Sequence, residues 1–115
     1  MSDAKSDRGR VPPGVPVERA NLVQYADGAV VSRIVHKNAV GNVTVFAFDE
    51  GEGLSEHTAP FDALVEITDG ECDITIGGET QRVHAGQMIL MPAGIPHALH
   101  ACRRFQMTLV MLRGA

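Results

Sequence analysis

Residues 51–101 read GEGLSEHTAPFDALVEITDGECDITIGGETQRVHAGQMILMPAGIPHALHA. Short apolar runs alternate here with glycine, proline and aspartate clusters, the pattern of strands joined by tight turns. Phe61 to Thr68 alternates with period two, setting Phe61, Ala63, Val65 and Ile67 against Asp62, Leu64, Glu66 and Thr68. Asp69-Gly70 reads as a tight turn, and Cys72, Ile74 and Ile76 form the next inward face. Gly77-Gly78 suits a type I′ turn into a strand over 79–83. Met88 to Met91 is a short apolar strand, Pro92 to Pro96 a turn, and His97 to Ala101 another strand. Two histidines, His57 and His97, stand in the two halves, each beside a turn and an apolar run. A hairpin between the halves folds them back on each other. The expected product is a small all-β barrel with both histidines on the wall of an interior pocket.

Outside this stretch the β pattern continues. Ala29 to Lys37 is rich in β-branched residues, with Val30, Ser32, Ile34 and His36 on one face. Residues 38–42 form a turn, and Val43 to Phe48 lacks polar alternation, as a strand buried on both faces would. Phe105 to Leu112 closes the domain. Residues 18–26 fit either a strand or a single helical turn. With about nine short strands and no long helix, a sandwich or barrel is predicted. Residues 1–17 are polar and then proline-rich, so they are expected to form a flexible N-terminal arm dispensable for folding, extended along a neighbouring subunit. Residues 18–115 form one domain.

The chain has 115 residues, enough for a single core but not two. Its net charge of −4 argues against a nucleic-acid partner, which calls for a basic patch. Arg103-Arg104 is the one basic pair and reads as a solvated turn. Two cysteines, Cys72 and Cys102, make no disulfide framework of the kind small secreted domains use. No apolar run reaches the ~20 residues that cross a bilayer, and the N-terminus lacks the apolar core of a signal peptide. A cytoplasmic protein with no membrane partner is expected.

Gly51, His57, Gly70, Gly86, Pro92, Gly94 and His97 together resemble the two signature motifs of the cupin superfamily. The first motif is glycine, five residues, His-x-His, a glutamate and a closing glycine. The second is glycine, five residues, Pro-x-Gly, two residues, histidine, three residues and asparagine. Fifteen residues (71–85) separate them, the compact spacing of small microbial members. The resemblance implies a cupin-type jelly-roll β-barrel, commonly a homodimer, often with a metal held by three histidines and a glutamate. This chain departs from the pattern at three positions: Ala59 replaces the second histidine, Ala63 the glutamate, and Ala101 the asparagine. By carry-over His57 and His97 remain, two ligands of four. A divalent ion (Fe, Mn, Ni or Zn) usually takes three or four protein ligands, since each offsets part of its dehydration.

Other side chains are weaker candidates. Strand parity puts Ala59, Phe61 and Ala63 on the side of His57 and turns Asp62 and Glu66 away. His36 can reach the interior with Val30 and Ile34, or be a polar residue at a strand end. His84 is expected exposed beside a turn, His100 faces away from His97, and Cys102 reads as a packed small residue. Core packing accounts for Met88, Met91, Met107 and Met111 better than thioether ligation does, although they can give the pocket an adaptable lining. Two readings of function follow. In one, the barrel binds a small molecule beside His57 and His97, with Ala59, Phe61 and Ala63 shaping an enlarged apolar cavity, and metal plays little or no part. In the other, it is a metal-dependent enzyme of dioxygenase or isomerase type, using His57 and His97 with water or a third ligand. The loss of two polar ligands weighs toward the first.

Overall fold

The computed structural model describes residues 10–114. Eight strands follow a short 3-10 turn at Arg19–Asn21: β1 (Val30–Asn38), β2 (Gly41–Phe48), β3 (Gly53–His57), β4 (Asp62–Ile76), β5 (Glu79–His84), β6 (Met88–Met91), β7 (His97–His100) and β8 (Phe105–Leu112). The ambiguous stretch 18–26 thus holds a helical turn rather than a strand. All pairings are antiparallel, in the order β1-β2-β8-β4-β7-β3, with β5 and β6 also pairing to β4.

Strand β4 is the hinge of the architecture. Its first half pairs with β8 and β6, its second half with β5 and β7. One strand therefore serves both walls, and the sheet curls into the jelly-roll barrel expected. Here the sequence reading needs correction, because Asp69-Gly70 is not a hairpin turn. The chain runs through it as one 15-residue strand that kinks at an irregularity in register between Ile67 and Asp69. Gly70 takes φ +71° against the carbonyl of Arg104, so a residue type that marks turns is used here to bend a strand across the barrel corner. Gly77 and Gly78, with φ of +58° and +86°, do make the two-residue turn anticipated, joining Ile76 to Glu79.

Period-two alternation along β4 and β8 sends Ala63, Val65, Ile67, Met107 and Leu109 into the barrel. Phe48 and Phe105, partners across β2 and β8, are fully buried and stack with ring centroids 4.3 Å apart. Truncating either would cost roughly 3–5 kcal/mol. Strand β2 is covered on both faces. Its outward Val45 and Ala47 form a second buried cluster with Val23 and Val35, against which Val11 and Leu22 pack. Within the arm, Val11 N–H donates to the Val35 carbonyl at 2.9 Å; residues 1–9 lie outside those described.

Of the two readings of His36, the polar strand-end one agrees with the structure: His36 is exposed, and a bulge between Ile34 and His36 shifts the phase of β1 at the sheet edge. One expectation about side-chain placement fails. Met88 is 59% exposed, so core packing accounts for Met91 and Met107 but not for it. It lies on the outer face of β6, opposite the exposed Glu66. No helix among the described residues is long and apolar enough to cross a membrane.

Candidate functional site

His57 ends β3 and His97 begins β7, and the two residues are register partners. Strand geometry ends at His57, and residues 58–61, Pro60 with its missing N–H among them, connect β3 to β4 outside any strand. This connection is tied to the turn before His97: Gly94 N–H donates to the Ala59 carbonyl at 2.9 Å, and the Asp62 carboxylate accepts from Ala93 N–H at 2.9 Å. The Pro96 carbonyl accepts from Gly77 N–H at 2.9 Å, so the turn is held from both sides. The rings it positions meet edge to face, with centroids 4.4 Å apart. His97 is 4% exposed, and His57 stands at the solvent-facing mouth.

The hydrogen bonds determine which nitrogens carry hydrogen. His57 Nδ1 lies 2.8 Å from the Ser55 carbonyl and His97 Nδ1 3.3 Å from the Ile95 carbonyl. A carbonyl only accepts, so both Nδ1 atoms donate. In neutral rings that leaves both Nε2 atoms as bare lone pairs, and these face each other at 3.2 Å. Two facing lone pairs repel unless something electron-poor lies between them or one ring takes a proton. Burial pushes the His97 pKa below the usual imidazole value, countered in part by its bond to Ile95 and reinforced by the nearby His57. The neutral form, with its lone pair free, is therefore favoured at His97.

A cavity of about 50 Å³ opens beside the pair, lined by ten residues of which the two histidines alone are ionisable. Ala59 and Ala63 line it, so four of the five positions singled out from sequence meet at one place. Phe61 does not join them. It is half-buried with its ring under the Arg113 guanidinium, 5.7 Å from the centroid, because residues 58–61 lie outside any strand and do not carry the parity of His57 onward. Of the four methionines offered as an adaptable lining, Met91, Met107 and Met111 line the cavity, on β6 and β8 across from the histidines, and Met88 does not. Ala63 is the register partner of Met91 on β6 and of Met111 on β8. The space left by the motif's missing glutamate is thus flanked by two thioethers. Register across three strands carries this information, and no local sequence signal does.

His84 and His100 are exposed, and Cys102 donates its thiol toward the Glu71 carbonyl at 3.6 Å. Burial pushes the Cys72 thiol up to about 12, so it is inert as a thiolate at neutral pH. Among the described residues no group of three or more histidine, cysteine, aspartate or glutamate side chains is arranged to hold a metal ion. The donor set therefore does not fit the four-ligand divalent site of the motif: two neutral imidazoles remain, with no carboxylate to offset a double charge.

A curled antiparallel barrel with one histidine from each motif on its inner wall defines a small single-domain jelly roll. The Cupin domain family matches residues 44–112, more than half of the chain, and the chain belongs to that family. It is 38% identical to a conserved protein of unknown function from Streptococcus pyogenes, superposing with a TM-score of 0.85 over 91% of this chain and 92% of that one. A cupin superfamily protein from Desulfitobacterium hafniense superposes at 0.83 with 26% identity, covering 90% of this chain and 95% of its own. An uncharacterised protein of Streptomyces coelicolor is 31% identical over 64% of this chain and 69% of its own length.

Proposed function

We propose that this cupin is a binding module that takes a small molecule in the barrel cavity beside His57 and His97, without the divalent-metal chemistry available to a four-ligand cupin site. The observation that carries this reading is the cavity itself. It is an apolar recess whose only ionisable side chains are two histidines with converging Nε2 atoms. Its volume of about 50 Å³ is well below the ~300–1,000 Å³ of pockets that enclose drug-sized ligands. A ligand there inserts a group of a few heavy atoms and leaves the rest at the mouth, beside His57. A hydrogen-bond donor on that group would satisfy the Nε2 lone pairs. The reading is tested by screening small polar fragments by NMR against the wild type, His57→Ala and His97→Ala. Shifts clustered on β3, β4 and β7 and lost in both variants support it; hits elsewhere, or hits indifferent to both substitutions, overturn it.

A metal-dependent enzyme of dioxygenase or isomerase type is the second reading, favoured by the facing lone pairs at 3.2 Å. It needs a third ligand from water or substrate. Near-stoichiometric iron, manganese, nickel or zinc in untagged protein purified without chelators would support it over the first.

The protein works as a homodimer in this proposal. On the outer face of β6, β4 and β8, Leu90, more than half exposed, stands in register with half-buried Leu64 and Val110, while Met88 and Leu112, also more than half exposed, pair with Glu66 and Asp62. Scattered exposed apolar residues are ordinary, but a row of three, Leu90, Leu64 and Val110, across one sheet face is suited to a partner. Two free cysteines, one of them buried, suit a reducing cytoplasm.

A further inference from the structure

We infer that Arg113 and Asn42 form a carboxylate anchor at the open end of the cavity, so that its small molecule is a short-chain carboxylate with the charged end on Arg113 and the uncharged end inside. This rests on the reading that the cavity is the binding site and names the class of ligand it takes.

Three observations support a cationic anchor there. The first is register. Strand β8 ends at Leu112, paired with Gly41, but the ladder runs one residue further: Arg113 N–H donates to the Val40 carbonyl at 2.8 Å. Side chains alternate along a strand, so Arg113 takes the side of Leu109 and Met111, both of which line the cavity. Two residues advance a strand by ~6.6–6.8 Å, which sets Arg113 one step beyond Met111 at the end of that row.

The second is the hold that Phe61 has on the side chain. The guanidinium carbon lies 5.7 Å from the centroid of the Phe61 ring. Phe61 stands midway between Ala59 and Ala63, and both alanines line the cavity. The aromatic face therefore keeps the cation beside the connection that borders the recess. Stacking of this kind leaves the N–H edge of the guanidinium free to bond an anion. Phe61 has a place at the site on this account, although its ring is outside the cavity.

The third is the absence of compensation. Arg82, Arg103 and Arg104 each pair with aspartate or glutamate, whereas among the described residues no carboxylate pairs with Arg113. Asp62, adjacent to Phe61, accepts from Ala93 N–H at 2.9 Å instead. On the neighbouring strand Asn42 is the register partner of Met111. Its Oδ1 accepts from the Thr44 hydroxyl at 3.2 Å, which leaves the two Nδ2 hydrogens as donors for a ligand.

The recess itself sets the orientation. A carboxylate forced into an apolar space of about 50 Å³ would lose its hydration with no cation to replace it. At the open end it stays partly hydrated and meets a planar fork that matches its two oxygens. One guanidinium and one neutral amide balance a single negative charge, so a monocarboxylate suits them better than a phosphate.

The test uses the full chain and follows amide NMR shifts during titration with acetate, propionate, butyrate and valerate, each beside its primary amide, which has the same shape without the charge. The best acid is expected to bind at least tenfold more tightly than its amide. Arg113→Gln is expected to remove that preference while leaving amide affinity within twofold. Arg113 is exposed, so this variant is expected to fold, as an unchanged amide spectrum would show. Arg113→Lys should keep part of the preference, and Asn42→Ala and Phe61→Leu should each reduce it severalfold. Arg103→Gln, which removes an exposed arginine paired with Glu71, is expected to leave it unchanged. The inference is overturned if no acid binds, if acids and amides bind alike, if Arg113→Gln or Asn42→Ala leaves the preference intact, or if Arg103→Gln lowers it as much. If the preference is absent while amide binding still depends on His57, this inference falls and the binding-module reading stands. If binding is indifferent to His57 as well, both fall.

Discussion

Gly70 on β4 lies directly against the backbone of Arg104, with the Arg104 carbonyl carbon 3.0 Å from where a Cβ would sit and the carbonyl oxygen closer still. Gly70 also has φ +71°, so the corner of the barrel is sharp in conformation and tight in space. Gly70→Ala is expected to cost roughly 2–5 kcal/mol, combining left-handed backbone strain with overpacking against a backbone that cannot yield like a side chain. Gly78→Ala is the control. Its φ of +86° is similarly unfavourable, but nothing lies within 4 Å of the added methyl. That substitution is expected to cost only the strain, about 1–2 kcal/mol. Equal losses in chemical denaturation would show that close approach at Gly70 contributes nothing.

Arg104 also anchors the segment before β1. Its guanidinium bonds Asp49 and Asp27 at 2.7 Å each and lies over the Tyr25 ring, whose hydroxyl donates to Asp69. The Arg104 bond, with N–H donors from Gly28 and Glu50, holds the Asp49 carboxyl at about 2, below its usual 3.8. A depressed folded-state value means that the stabilisation is present above pH ~4 and is lost as pH falls through 2. Asp49→Asn is therefore expected to be less stable than wild type at pH 6, with the gap closing between pH 4 and 2. Thermal melts across that range give the comparison. A gap independent of pH would mean that the asparagine replaces the ionic contacts in full or that the loss is one of packing.

Local patterns were enough to read the barrel, because alternation along 61–67 and 72–76, the Gly77-Gly78 turn and the motif glycines each reflect nearest-neighbour backbone rules. The extent of β4 was not readable. Asp69-Gly70 has the composition of a turn, and only the opposing Arg104 carbonyl shows it to be a kink within a strand. The histidine pair could be located from two motif positions, yet the parity used to extend from His57 carried Phe61 inward, where the strand in fact ends at His57 itself. Bulges shift phase in the same way at His36. The methionines that flank Ala63 were hidden because their adjacency is a matter of register between strands 28 and 48 residues away along the chain. Pattern within a strand says which face a residue takes, but not which residues from other strands share it.

Leu90 and Leu112 give the means to test assembly. Both are more than half exposed on the outer face that also presents Leu64 and Val110. If that face meets a second copy, Leu90→Glu places a charge at the interface and desolvates it on association, at a cost of several kcal/mol across two symmetric copies. Light scattering at micromolar concentration is expected to give twice the monomer mass for the wild type and the monomer mass for Leu90→Glu, with circular dichroism unchanged. A wild-type monomer, or a dimer indifferent to the substitution, would remove this face from consideration.

Ala59 and Ala63 allow the most direct test of how His57 and His97 are aimed. Both alanines line the cavity that His57 and His97 also line, at the positions where the cupin motif carries histidine and glutamate. Ala59→His with Ala63→Glu supplies a third imidazole and the missing negative charge, completing a set of four ligands suited to a divalent ion. Glutamate between Met91 and Met111 overfills that row, with an expected stability cost of about 1–3 kcal/mol. The gain is in binding: isothermal titration is expected to show Mn(II), Ni(II) or Zn(II) held at least a hundredfold more tightly than by the wild type. Adding His57→Ala should abolish most of that gain, because the new ligands and the old pair would act on one ion and their effects would not add. A double variant that folds and still binds no divalent ion would mean that His57 and His97 do not converge on a shared position, and the cavity would lose its claim as the site.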